Sequence, residues 1–128
     1  MYVNKRASQV VLGLSSKNEV QQVIDNLVGN AFEAMEEIDR PPLLQICIRR
    51  IDDDRVLTEF IDNGRGLPVD SVDDIFDAFV TTKKNGVRIG LAISHSIVEA
   101  HGEELLAEKN PDFGAKFSLF LKTPPSAI

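Results

Sequence analysis

From Val20 onward, apolar side chains recur at positions 20, 23, 24, 27, 28, 31, 32, 34, 35 and 38. That is one broad stripe at a period of 3.6 residues, and it predicts an amphipathic helix. Ser15-Ser16-Lys17-Asn18-Glu19 supplies a start signal, with Ser16 as N-cap and Glu19 three residues later in a capping box. At about 100° per residue, Asn26, Asn30, Glu33 and Glu37 share a polar stripe beside the apolar face. Arg40-Pro41-Pro42 is expected to end the helix, because proline disfavours helical geometry in the residue before it.

The pattern then changes to a period of two. Leu44, Ile46 and Ile48 alternate, Asp52-Asp53-Asp54 marks a turn, and Val56 to Ile61 reads as a second strand, so the pair forms a hairpin. Asp62-Asn63-Gly64-Arg65-Gly66-Leu67-Pro68 breaks the strand pattern. A short helix is expected within Val72 to Phe79, and Val80 to Val87 has no period. Leu91 to His101 resumes helical spacing, offering Leu91, Ile93, Ile97, Val98 and Ala100 to a core. Glu104 to Glu108 and Ala115 to Leu121 read as strands joined by the turn Asn110-Pro111-Asp112-Phe113-Gly114. Val10 to Leu14 reads as a further short strand, residues 1–8 as a linker or domain edge, 9–123 as one domain, and 124–128 as a tail. Helix, hairpin, irregular loop, helix, hairpin suggests an α+β arrangement of antiparallel strands covered on one face by helices.

Composition narrows the partners more than the fold. With 128 residues, 43% hydrophobic and 27% charged, the chain suits one globular domain. A net charge of −6 argues against a generic nucleic-acid or anionic-membrane surface, so any anionic ligand must be held locally. Cys47 is the only cysteine, which excludes an intrachain disulfide and fits a reducing compartment; its place in the run Leu43 to Ile48 reads as a buried, inert thiol. The sequence shows no apolar run of about 18 residues and no signal peptide, so a soluble piece is expected.

Three features carry candidate chemistry, and each has a plain structural alternative. Asn26 and Asn30 point the same way from the helix; asparagine disfavours helix interiors, and its carbonyl oxygen suits Mg²⁺, yet a polar stripe can be only a solvated face. Asp62-x-Gly64-x-Gly66 is either a turn or a strand-end carboxylate that accepts a hydrogen bond from an exocyclic amine while glycines admit a flat base. Gly86 to Gly90 leading into Leu91 is either a flexible loop or a helix N-terminus that favours phosphate, with Lys83 and Lys84 nearby. His95 and His101, six apart, lack the spacing of a metal pair on one helix face, and nothing marks an activated serine.

Their order along the chain is more specific than any one of them. Asn26 to Met35, then Asp62 to Pro68, Ile75 to Lys83, Gly86 to Ser94, and Ile97-Val98-Glu99-Ala100-His101-Gly102 resemble the N, G1, F and G2 boxes of the ATP-binding catalytic domain of two-component sensor histidine kinases. Gly114-Ala115-Lys116-Phe117 is similar to the last glycine box, and the resemblance covers about residues 10–122. Thr81 to Gly86 and "IVEAHG" look most like the nitrogen-regulation and oxygen-sensing branch.

The resemblance implies a Bergerat-type fold, an α+β two-layer sandwich with a mixed, mostly antiparallel sheet covered on one face by helices, shared with gyrase, the Hsp90 chaperone and MutL, with ATP and Mg²⁺ as cofactors. It implies that Asn30 ligates Mg²⁺, that Asn26 lies near the phosphates, and that Asp62 binds the adenine amine over a floor shaped by Gly64 and Gly66. Phe76 and Phe79 would anchor the loop closing over the nucleotide, Gly86 and Gly90 would contact phosphate through their backbone, and Lys83 and Arg88 are further phosphate partners. Leu91 and Ala115 complete the implied nucleotide contacts. Gyrase-like members carry a glutamate base at the position of Asn26; an amide cannot take a proton from water, so transfer to a histidine is the expected chemistry rather than hydrolysis.

Two departures stand out: Arg88 replaces the middle glycine of Gly-x-Gly-x-Gly, and Glu103 replaces the glycine usual after Gly102. A non-glycine residue forced into left-handed geometry costs about 1–2 kcal/mol, roughly 5- to 30-fold in affinity if incurred on binding. Arg88 could return part of that through a charge-assisted contact to phosphate. No helical hairpin with a phosphoacceptor histidine precedes the domain, so the expectation is ATP binding without self-phosphorylation. The implied partners are a histidine-bearing dimerisation domain of the same protein and a downstream response-regulator receiver domain, with no nucleic acid, a monomeric isolated domain and a cytoplasmic location. The alternative is a degenerate nucleotide-binding or docking module whose phosphate loop Arg88 blocks.

Overall fold

The computed structural model describes residues 2–3, 17–67, 74–76, 85–110 and 113–122. The Val10 to Leu14 strand, the Ser16 cap, most of the Val72 to Phe79 helix, Val80 to Lys84 and the tail lie outside the described residues.

The elements are β1 (Tyr2–Val3), α1 (Lys17–Ala34), β2 (Leu44–Asp52), β3 (Arg55–Asp62), α2 (Asn85–Ala100), β4 (Glu104–Lys109) and β5 (Ala115–Lys122). The sheet order is β1-β2-β3-β5-β4. Every pair is antiparallel except β1 with β2, where Tyr2 and Val3 lie opposite Gln45 and Ile46. Two residues of the stretch read as linker or edge therefore form the edge strand.

Register decides which side chains meet the helices. Ile46, Phe60, Phe117 and Ala107 share one cross-strand row, and Ile48, Thr58, Leu119 and Leu105 the next. Against these rows α1 buries Val20, Val23, Leu27 and Ala31, Met35 just past its end adds to them, and α2 buries Leu91, Ser94 and Val98. The opposite face carries the row Cys47, Glu59, Ser118 and Leu106. Cys47 is thus exposed rather than buried. It sits out of phase with Leu44 and Ile46, which are buried, so the period of two sends it to the open face. On that face Lys116 Nζ lies 2.7 Å from Glu59 and 3.5 Å from Glu108.

Three boundaries and faces differ from the sequence expectation. Helix α1 ends at Ala34, before Arg40-Pro41-Pro42. The Met35 N–H is shared between the carbonyls of Ala31 and Phe32, Glu36 N–H turns back to Glu33, and Glu37 takes a left-handed backbone with φ of 59°. Helix α2 begins at Asn85 rather than near Leu91. Ile93 and Ala100 are exposed, because Leu91, Ser94 and Val98 fill the inward stripe; Phe32, on the flank of α1, is 46% exposed.

Helix α2 closes with a Schellman cap: Glu103 N–H reaches Val98 O at 3.1 Å, Gly102 N–H reaches Glu99 O at 3.0 Å, and Gly102 has φ of 70°. The cap carries the ring of His101 to Glu19, with Nε2 3.3 Å from the carboxylate and Nδ1 2.8 Å from Ile97 O. The Ile97 carbonyl, then the Glu19 and Glu103 carboxylates, hold the imidazole above its ordinary 6.5.

Two outcomes are expected. Thr58 Oγ1 is buried with no hydrogen-bond partner among the described residues, so Thr58→Val should raise unfolding stability by about 1 kcal/mol in denaturant titration. Because the folded-state value of His101 is raised, its stabilising charge is fully present below about pH 6.5, the ordinary value, and is lost as pH rises from there through the higher folded-state value. The excess of melting temperature at pH 5.5 over pH 8.5 should therefore shrink in His101→Gln relative to the parent.

Candidate functional site

Strand β3 ends by placing a carboxylate in the interior. Asp62 is 2% exposed. Its Oδ1 accepts the N–H of Gly64 at 2.8 Å and that of Ala115 at 3.4 Å. Burial pushes this carboxyl above its ordinary 3.8, and the two amide bonds offset part of the rise. Among the described residues both amide contacts fall on Oδ1.

Glycine is required at two positions around this carboxylate. A Cβ on Gly64 would lie 2.3 Å from the carbonyl oxygen of Ala34, so the loop after β3 packs directly on the end of α1. A Cβ on Gly114 would lie 2.1 Å from Asp62 O and 2.7 Å from its Oδ1, and Gly114 also has φ of 82°. The approach of the β4–β5 turn is what brings the Ala115 N–H to the acid. Gly66, with φ of 89°, lies near the Gly114 carbonyl, where an added Cβ would be in ordinary contact at 3.7 Å.

The segment between α1 and β2 holds the same loop from its other side. Asn63 accepts the Leu43 N–H through Oδ1 and donates through Nδ2 to Pro41 O, both at 2.9 Å. Arg65 N–H donates to Ala34 O at 2.9 Å. Arg40 donates from Nε to Asn63 O and from Nη2 to Gly64 O, each at 2.9 Å.

A second group of residues lies where α1 meets α2. Asn26 Nδ2 donates to Gly90 O at 3.1 Å and to Ser94 Oγ at 2.9 Å. Its polar side is therefore a joint between helices rather than a solvated face. Asn30 is half-buried one turn further along, and Ala34, which touches Gly64, one turn beyond that. At 1.5 Å per residue the run from Asn26 to Ala34 spans about 12 Å, joining the two groups along one helix face.

Phe76 is half-buried, its ring stacked on His95 at 4.5 Å and edge-on to Phe117 at 6.3 Å. His95, whose spacing from His101 points to no metal-ligand role, is here a support for Phe76 from α2. Phe79 and Lys83 lie outside the described residues. Gly86, Arg88 and Gly90 all fall within α2, where the unpaired N–H donors belong to the first turn, around Gly86, and Gly90 lies in the second. Leu91 is fully buried, as is Ala115.

The feared strain at the two family departures is absent here. Glu37 is the only non-glycine residue with positive φ among the described residues. Arg88 has a helical backbone, and Glu103 follows the left-handed Gly102 rather than sharing its geometry. Glu103 instead accepts the Lys122 N–H at 3.0 Å. Three contributors carried no signal in the sequence: Arg40, read as a helix terminator; Ser94, one residue in a helical run; and His95.

A family profile described as histidine kinase-, DNA gyrase B-, and HSP90-like ATPase matches residues 15–125. Sensor protein FixL of Bradyrhizobium diazoefficiens is 40% identical over 110 residues, covering 86% of this chain and 22% of FixL. Nitrogen regulation protein NtrY of Azorhizobium caulinodans is 36% identical over 110 residues, covering 80% of this chain and 14% of NtrY. The chain thus spans a small part of the length of these relatives. Among solved structures, a nucleotide-free catalytic domain of histidine kinase ThkA superposes with a TM-score of 0.71 at 28% identity, covering 84% of this chain and 69% of that one. Full-length ShkA in complex with AMPPNP gives a TM-score of 0.71 at 26% identity, covering 89% of this chain and 24% of that one. The profile runs across both helices and β2 to β5, and the chain belongs to the histidine kinase-, DNA gyrase B-, and HSP90-like ATPase family.

Proposed function

We propose that this chain is the ATP-binding catalytic domain of a sensor histidine kinase, which holds Mg-ATP and presents its γ-phosphate to a histidine on a separate dimerisation domain. The observation that carries the reading is Asp62: a carboxylate 2% exposed at a strand end, kept there by backbone N–H groups on one oxygen. Such a group is a fixed acceptor for an exocyclic amine, and Gly64, Gly114 and the Ala115 N–H set backbone rather than bulk against it.

The residues present fit a magnesium nucleotide. Asn30 is half-buried on the α1 face that leads from Asp62 towards α2, and its amide oxygen is a hard, neutral ligand. The first turn of α2, around Gly86, offers unpaired N–H donors of the kind that bind phosphate, with Lys83 and Arg88 as further cationic partners. Phe76, braced by His95 and Phe117, anchors the segment between the base and phosphate ends, and the family resemblance assigns Phe79 to the same segment. Mg²⁺ would supply charge neutralisation on the phosphates; the chain's own part is to bind and orient them.

Asn26 supports a kinase over a hydrolase, since an amide gives water no base and this one is bonded to α2. The phosphoacceptor histidine and a response-regulator receiver domain are the partners in this reading, and the isolated domain is monomeric. Among the described residues no helix is long and apolar enough to cross a membrane, and the site of action is cytoplasmic, where ATP is available.

Isothermal titration should detect ATP binding that Mg²⁺ strengthens; in Asn30→Ala, affinity with Mg²⁺ should fall about tenfold or more, and affinity in chelator should match the parent. Parent-like Mg²⁺ dependence in that variant would remove Asn30 from the metal. Mixing the domain with a histidine-bearing helical hairpin and γ-labelled ATP should label the hairpin, whereas steady phosphate release without labelling would reassign the domain as a hydrolase. Arg88→Gly should weaken ATP binding if the guanidinium meets phosphate; tighter binding would instead mark the arginine as a block and favour the docking-module alternative.

A further inference from the structure

Arg40 stands at the centre of contacts that no turn requires. Its guanidinium edge donates to two successive carbonyls, Asn63 O and Gly64 O, each at 2.9 Å. Its face lies 3.9 Å from the centroid of the Phe113 ring. The remaining partner, Asp39 at 3.3 Å, has a side chain 94% exposed, so that ion pair contributes little. The side chain of Arg40 itself is only 25% exposed.

The two segments it grips are those that build the environment of Asp62. The loop at Asn63–Gly64 delivers the Gly64 N–H to Asp62 Oδ1 at 2.8 Å. Phe113 directly precedes Gly114, whose close approach to the Asp62 backbone brings the Ala115 N–H to the same oxygen at 3.4 Å. That second bond is near the limit of a hydrogen bond, so a small shift of the turn removes it. A planar fork can bind two carbonyls along its edge while stacking a ring on its face; a lysine ammonium, with no plane, cannot combine the two in that way.

Resting on the reading of Asp62 as the adenine acceptor, we propose that Arg40 is a positioning residue for base recognition: by clamping the Asn63–Gly64 loop to Phe113, it fixes the carboxylate that tells an amine-bearing base from one without it. Among the described residues the contacts of Arg40 are with Asn63, Gly64, Phe113 and Asp39, at the base end, and none is with Asn30 or α2.

The test titrates the full chain with Mg-ATP and with the purine riboside triphosphate that lacks the exocyclic amine, in the parent, Arg40→Lys, Arg40→Met and Phe113→Leu. Exchange of the Gly64 and Ala115 amides is followed by NMR alongside. In Arg40→Lys and Arg40→Met, ATP affinity should fall about tenfold while the analogue changes less than about twofold, so the preference collapses. Phe113→Leu should fall between, and the Ala115 amide should exchange faster in all three. If Arg40→Met fails to fold, Arg40→Lys and Phe113→Leu decide. An unchanged preference in folded Arg40→Lys, or equal losses for both ligands, overturns the role of Arg40. A parent that binds both ligands alike overturns the role of Asp62 instead, and Asp62→Asn with an undiminished preference does the same.

Discussion

A carboxylate almost sealed from water is the constraint around which this domain is arranged. Burying an anion without partners is costly, and Asp62 meets that cost with backbone amides rather than with a cationic side chain. Amides can reach it only if their own backbones come close, which explains why Gly64 and Gly114 leave no room for a Cβ. The end of α1, the start of β5 and the loop after β3 are thereby drawn to one point. A lysine or arginine paired with the acid would have neutralised it; amide partners leave it an acceptor.

The layer structure was legible because two periods are hard to confuse. The stripe from Val20 to Met35 and the alternation through Leu44, Ile46 and Ile48 correctly fix one helix and one strand, and the strands around Leu105 and Phe117 follow in register. What misled was local. Cys47 looked buried because its neighbours are apolar, yet alternation sends it outward. Helix α1 ends at Ala34 and the left-handed residue beyond it, Glu37, is neither Gly nor Asn, so no stop signal was visible before the prolines. Helix α2 starts at Asn85 although its first turns hold two glycines and no stripe.

The site was legible only through the order of its parts. Asp62-Asn63-Gly64 alone is a turn by composition, and it is a turn; that it also holds a buried acid depends on Gly114, some fifty residues away. Ser94 and Arg40 act through tertiary contacts that have no periodicity to betray them. A serine in an inward helical position reads as a poor core residue until the asparagine facing it is known.

That asparagine also constrains what the fold can become. Ser94 can orient its hydroxyl either way, but Gly90 offers a carbonyl, which can only accept, so the side chain facing it must bring a hydrogen of its own. An amide of Asn26 does so with both of its N–H bonds. A carboxylate at the same place could still accept from Ser94, but it would set lone pair against lone pair at the Gly90 carbonyl and push that turn of the second helix off the first. Acquiring a water-activating base at this position would therefore take more than one substitution: the seam between the helices would have to be resewn with donors from the α2 side.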